Sequence, residues 1–204
     1  AGDASFALAE SIAGSVTLAE SAVAFLLTEL NIGSGDFSLA AGKPSMSARE
    51  VCALMARLSR SATYLKYSAL SLDEIVHENG TKTELANPNK LIKTLEGCYA
   101  GSTGSSNGGG YCGAFAVRRG ETSFVVAVLG AANSNDRFAA AKEAVGIAFS
   151  KFEAVHVVTK GEIVASIAVT GGMKRAVDAL SSQTLVLLIE KGDAWGAMPD
   201  LPES

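Results

Sequence analysis

The chain of 204 residues carries 17 Lys and Arg against 21 Asp and Glu, a net charge of −4, and 48% of its residues are hydrophobic. That suits one ordinary domain, or a domain with a small appendage. No basic stripe is present, which argues against nucleic-acid binding, and no apolar run reaches the ~18 residues of a membrane-spanning helix.

From Ala4 to Ala13 the chain is rich in Ala and Leu, with Leu8 and Ile12 four apart, and Gly14 follows. The spacing predicts a short helix ended by that glycine. The pattern starts at once, without the charged start and apolar core of a signal peptide, so we expect sequence upstream of Ala1. Thr17 to Leu30 repeats the helical pattern, with Ala22, Phe25, Leu26 and Leu30 on one side, and Asn31 to Gly35 is a turn cluster. A third helix opens at Ser45–Glu50. Ser47 is its N-cap and Glu50, three residues on, completes a capping box; Val51, Leu54, Met55 and Leu58 form the buried stripe.

Tyr67 to Val76 reads as a short extended segment, and the polar stretch Gly80 to Lys90, with Asn87-Pro88-Asn89, as a loop. An antiparallel meander follows. Gly97-Cys98-Tyr99-Ala100-Gly101 leads into a Ser/Gly-rich first turn carrying Ser102-Thr103-Gly104, and Gly113–Arg118 and Ser123–Leu129 are the next two strands, joined by Arg119-Gly120-Glu121. Asn133 to Asp136 starts a long helix with Phe138, Ala141, Val145, Ala148 and Phe152 on its apolar face. Near residue 156 the period changes to two. His156–Val158, Ile163–Val169 and Thr184–Ile189 read as strands of a second, all-β unit, too short to build much of a core alone. Trp195 and the tail from Met198 to Pro202 read as a frayed end.

Three cysteines, Cys52, Cys98 and Cys112, and two histidines, His77 and His156, are spread along the chain without a Cys-x-x-Cys pair. No zinc site is expected, and neither histidine is assigned a role. Cys98 and Cys112 flank the first meander turn and could face each other as a disulfide in an exported protein. Two small buried thiols is the simpler reading. The run Gly101–Gly110 lacks a Gly-Lys-(Ser/Thr) element and no helix follows it, so a nucleotide-binding loop is disfavoured.

Taken in order, Asn89-Lys90-Leu91, Gly97 to Gly104, Gly110-Tyr111-Cys112, Val125 to Gly130, Arg137-Phe138 and Phe149 resemble the low-molecular-mass penicillin-binding D-alanyl-D-alanine carboxypeptidases. There an Asn-(Lys/Arg)-Leu element precedes a Gly-Lys-Thr-Gly strand, followed by Gly-Tyr-Cys, a Val-Leu-Gly strand and a helix. Val158–Val164 and Val169–Gly172 look like the start of the family's C-terminal β domain, and Asp3 to Ser15 is similar to the helix after its Ser-x-Asn motif. The resemblance implies an α+β fold. A partial β-lactamase/transpeptidase-like domain, an antiparallel sheet with helices, would occupy residues 1–154, and the start of a truncated all-β domain residues 155–204. It also implies an extracytoplasmic bacterial cell-wall protein that uses no cofactor, with the peptidoglycan stem peptide as partner.

The family's chemistry uses Ser-x-x-Lys, Ser-x-Asn and Lys-Thr-Gly elements. The serine needs a base one helical turn away, and the Lys-Thr-Gly strand pairs with an extended peptide and holds its carboxylate. Ser-x-x-Lys occurs nowhere in this chain, Thr63-Tyr64-Leu65-Lys66 being the nearest imitation. The Ser-x-Asn asparagine falls on Gly2. The third element falls on Ser102, Thr103 and Gly104, with serine in place of lysine. Losing a charge-assisted hydrogen bond costs ~1.5–3 kcal/mol, and losing a nucleophile unit roughly 10⁴–10⁶ in rate. Arg118 or Arg119 could return the charge from a neighbouring strand, although solvated strand-end arginines are the simpler reading.

No catalytic residue is therefore assigned within the chain. The substrate-binding candidates are Ser102, Thr103, Gly104 and Gly2. A degenerate, non-hydrolytic muropeptide binder or assembly partner, a pseudoenzyme, is the first reading; a genuine DD-carboxypeptidase whose nucleophile lies upstream of Ala1 is the second. Ser102 should border a groove between the long helix and the sheet rim. Helices of an incomplete core should expose apolar surface, which a second copy or an N-terminal fragment would cover.

Overall fold

The computed structural model describes residues 2–33, 37–39, 45–193 and 196. The chain forms two compact units, one of Ala1–Arg119 with Ser123–Ala144, the other of Gly120–Thr122 with Val145–Ser204.

The first unit opens with α1, Gly2–Ala13, and α2, Val16–Glu29, which pack on each other. Gly14 ends α1 at φ 79°, a left-handed conformation that glycine adopts at no steric cost. Ser15 then caps α2, its hydroxyl accepting the N–H of Leu18 at 3.2 Å. Much of the apolar surface of this pair faces outward: Ile12 is 81% and Phe25 66% exposed. Helix α3, Ala48–Leu58, starts with the expected capping box, Ser47 taking the N–H of Glu50 and the Glu50 carboxylate taking that of Ser47.

Helix α4, Ala62–Ser68, corrects the sequence reading, which gave Tyr67 and Ser68 to an extended segment. Ser61 caps it, and Thr63 to Lys66 lie inside it. Strand β1, Leu72–Val76, then pairs antiparallel with β2, Lys82–Ala86. The second strand lies where a loop was expected. Both strands are exposed along their length, so no alternation of apolar residues announces β2; the ladder and the Glu74–Lys82 ion pair at 2.8 Å hold it. Helix α5, Leu91–Thr94, is a single turn started by buried Asn89, whose Oδ1 accepts the N–H of Leu91 at 3.1 Å.

Strands β3, Cys98–Ser106, β4, Gly110–Arg119, and β5, Thr122–Ala131, form the expected meander, in the order β3-β4-β5. The Ser-Thr-Gly element and Ser105-Ser106 stand within β3, not in the turn, which is Asn107–Gly109. An exposed outer strand needs no apolar side chains at these places, which is why small polar residues there imitate a loop. The long helix is α6, Ser134–Lys151, opened by Asn133, whose Oδ1 accepts the N–H of Asp136 at 2.9 Å. Phe138, Ala141 and Val145 are buried as expected, whereas Phe152 lies just past the helix. Phe138 and Ala141 meet Leu91 and Phe115 in the core, the two aromatic rings tilted with centroids 5.9 Å apart. Burial of side chains this size stabilises the unit by roughly 1.5–3 kcal/mol each.

In the second unit, β6, Phe152–Val158, precedes β7, Ile163–Ala168, β8, Ala176–Leu180, and β9, Leu185–Glu190. Strand β6 pairs antiparallel with β9, and β7 with β8. Strand β8 was missed, since its run Ala-Val-Asp-Ala-Leu is short and almost wholly exposed. Trp195 and Met198 to Pro202 lie outside the described residues. No single helix among the described residues is long and apolar enough to cross a membrane.

Candidate functional site

The Ser102-Thr103-Gly104 element stands in β3, the outer strand of the β3-β4-β5 sheet. A groove of about 310 Å³ adjoins it. Helix α3 supplies one wall, with Val51, Leu54, Met55 and Leu58 at the spacing of a single helical face. The sheet supplies the other, with Ser102, Thr103 and Gly104 of β3, Cys112, Gly113 and Ala114 of β4, and Leu129 of β5. Ser102 is exposed and Thr103 half-buried. No charged side chain is among the described residues lining the groove.

Ser102 therefore borders a groove, but α3 closes it, not the long helix α6. The apolar stripe of α3 was read as core. Much of it is only half-buried, and that open face makes the groove. The structure joins Ser102, Thr103 and Gly104 in one strand. Gly2 opens α1, and its surroundings fall outside the described residues.

The two cysteines do not face each other. In the β3–β4 register Cys98 stands opposite Val117 and Cys112 opposite Gly104, so they sit near opposite ends of the pair. Six residues of strand is about 20 Å, far beyond the span of a disulfide, and both are free thiols. The correction comes from register, because a turn three residues long places Ser106, not Cys98, near the start of β4. Burial raises the Cys98 thiol above its ordinary value, offset in part by hydrogen bonding to the Asn89 side chain and the Ala100 backbone. Cys52 on α3 is likewise raised by burial. Cys112 donates to the Gly109 carbonyl at 3.3 Å.

Register also removes Arg118 and Arg119 as substitutes for the absent lysine. Ser102 pairs with Ala114, four residues away from Arg118 and about 13 Å along the strand. Arg118 instead lies over the Tyr99 ring at 5.0 Å and donates to the Ser123 hydroxyl at 2.9 Å. Sequence reasoning missed a nearer arginine. Arg137 of α6, 6% exposed, donates to the carbonyls of Gly104 and Cys112 and stacks on Tyr111 and Phe138. His77 bonds Thr83, and His156 pairs with Glu121; neither is at the groove.

Over 195 residues the chain is 25% identical to the D-alanyl-D-alanine carboxypeptidase DacF of Bacillus subtilis, covering 94% of this chain and 50% of that protein. In sequence the chain thus resembles a D-alanyl-D-alanine carboxypeptidase. Its fold agrees. The crystal structure of penicillin-binding protein 5 from Haemophilus influenzae superposes with a TM-score of 0.75 at 20% identity, over 94% of this chain and 56% of that one. The carboxypeptidase DacD of Francisella tularensis gives 0.67 at 17% identity, over 93% and 59%. No family model matches the sequence. The chain thus spans about half the length of the carboxypeptidases it resembles.

Proposed function

We propose that this chain recognises the D-Ala-D-Ala-terminated peptides of bacterial cell wall, outside the cytoplasm, and that as it stands it binds them without hydrolysing them. The observation that carries the reading is the placement of Ser102-Thr103-Gly104 in the outer strand beside an apolar groove. An outer strand offers its N–H and C=O groups to an extended peptide, and a neighbouring pocket takes an alternate side chain. Methyl-bearing D-alanines suit apolar walls of Val51, Leu54 and Leu129. Two absences within the chain argue against hydrolysis. It has no Ser-x-x-Lys unit to form an acyl-enzyme, and Ser102 brings no positive charge to the departing carboxylate.

The test combines three measurements on the protein. Titration with acetyl-Lys-D-Ala-D-Ala should shift the amide resonances of Thr103 to Ser106, assay of free D-alanine should show none, and fluorescent penicillin should leave the chain unlabelled. Absence of binding would remove the reading. Covalent labelling or released D-alanine would establish the hydrolase in its place.

A further inference from the structure

Ser68, the last residue of α4, uses one hydroxyl to hold both backbone groups of a single residue of β3. Its Oγ accepts the N–H of Gly101 at 3.0 Å and donates to the Gly101 carbonyl at 3.3 Å. In an antiparallel sheet a residue's N–H and C=O point to the same side, and successive residues alternate. Gly101 therefore presents its groups away from β4, and Thr103 and Ser105 do likewise along the same outer edge. Among the described residues, Gly101 is the one of these three whose groups are bonded from within the chain.

The seat is built for this. A Cβ on Gly101 would lie 2.6 Å from Asn89 Nδ2 and 2.9 Å from Phe115 Cδ1, so only glycine lets the strand pass. Ser68 is itself fixed from the other side, where Asn87 Nδ2 donates to its carbonyl at 3.0 Å and to that of Leu70 at 2.7 Å. Asn87 and Asn89 are linked in turn, the Asn89 N–H donating to Asn87 Oδ1 at 2.9 Å. A polar chain thus runs from α5 to the end of α4 and stops at Gly101.

We propose that Ser68 is a positioning residue that closes the outer edge of β3 at Gly101 and so makes the site read the C-terminal end of a docked peptide. The inference rests on the peptide-binding reading above. Strands β3 and β4 pair antiparallel, and an added strand of the same sense runs from Ser105 toward Gly101. Its residues pair with Ser105 and Thr103. A residue placed opposite Gly101 finds the N–H and C=O already bonded and would bury its own groups unpaired, so the peptide must end there. The same closure leaves the N-terminal side of the peptide open past Ser106.

The experiment compares acetyl-Lys-D-Ala-D-Ala with the same peptide lengthened by two D-alanines at its C-terminus, and with one lengthened at its N-terminus. The protein should favour the short form over the C-terminal extension by about tenfold or more, a difference of about 1.4 kcal/mol, and tolerate N-terminal extension. Ser68→Ala should bring the C-terminal discrimination below about threefold, and Ser68→Thr, which keeps the hydroxyl, should restore it. An unchanged ratio in Ser68→Ala, or no preference in the parent protein, overturns the proposal. Amide exchange at Gly101 provides a readout without ligand. It should be slow in the parent and fast in Ser68→Ala, and equal rates in the two overturn the closure itself. If no peptide binds while Gly101 behaves as stated, the peptide-binding reading fails and the closure of the edge stands.

Discussion

Arg137 of α6 binds the backbone of the motif strand: its Nη1 donates to the Gly104 carbonyl at 3.2 Å and to the Cys112 carbonyl, opposite in register, at 3.0 Å. Nη2 reaches Ser134 at 3.1 Å, and Nε has no partner among the described residues. The guanidinium pairs with no carboxylate there, so carbonyl dipoles and the Tyr111 and Phe138 rings are what offset its burial.

Replacing Arg137 with methionine keeps much of the packing and removes the charged hydrogen bonds, each worth ~1.5–3 kcal/mol. Part of that is returned, because no cation need then be desolvated. The net expectation is a loss of about 2 kcal/mol of stability. It would be read as a lower urea midpoint with an unchanged slope. Arg137→Lys should not rescue it, since a single ammonium cannot reach both carbonyls and Ser134 in the guanidinium's planar geometry.

A second prediction concerns the charge missing at Ser102. Ser102→Lys places an ammonium on the outer strand at a groove otherwise lined by uncharged side chains. A charge-assisted bond to a peptide carboxylate is worth ~1.5–3 kcal/mol, so affinity for acetyl-Lys-D-Ala-D-Ala should rise by roughly 10-fold or more. The gain should weaken with salt and vanish for the C-terminal amide of the same peptide. Calorimetric titration at two ionic strengths reads both. An equal gain for the amide would show that the lysine acts by packing, not charge.

Much of the architecture was legible because it buries apolar residues periodically or uses local capping chemistry. The Ser47–Glu50 box, the α6 stripe of Phe138, Ala141 and Val145, and the meander all give such signals. Strands β2 and β8 were silent for the opposite reason: exposed strands need no alternation, so neither Lys-Thr-Glu-Leu-Ala nor Ala-Val-Asp-Ala-Leu shows one face apolar and the other polar. The site was half legible. Its Ser-Thr-Gly segment stood out, but register decides which residues oppose it, and register moved Arg118 away and parted Cys98 from Cys112. Ser68 and Arg137 were invisible as site residues because each reaches across 33 positions of sequence.

The groove wall gives a third prediction. Met55 is 3% exposed and is the most buried residue of the α3 stripe. Met55→Ala should cost about 2–5 kcal/mol, as transfer and cavity terms combine. Ser47→Ala should cost only about 1 kcal/mol, by removing one half of the capping box. Both changes act on the same helix through unrelated interactions, so thermal or urea midpoints should report additive losses in the double variant. A markedly larger combined loss would mean that α3 frays from its cap down to the groove.

The thiols set an alkaline limit. Burial raises the Cys98 and Cys52 thiols above their ordinary value of 9.0. The unfolded chain, with ordinary thiols, loses these protons first as pH rises. Their neutral forms therefore favour the folded state fully below about pH 9, and that contribution is lost as pH climbs through the folded values. Unfolding midpoints should accordingly decline more steeply above pH 9 in the parent protein than in Cys98→Ala, where one such group is gone. Alkylation by iodoacetamide at pH 8 should be slow at both sites in the folded protein and fast in urea, because little thiolate is present in the buried positions. Rapid alkylation of Cys98 in the native protein would show that the thiol is not held against the β3–α5 core as its contacts with Asn89 and Ala100 imply.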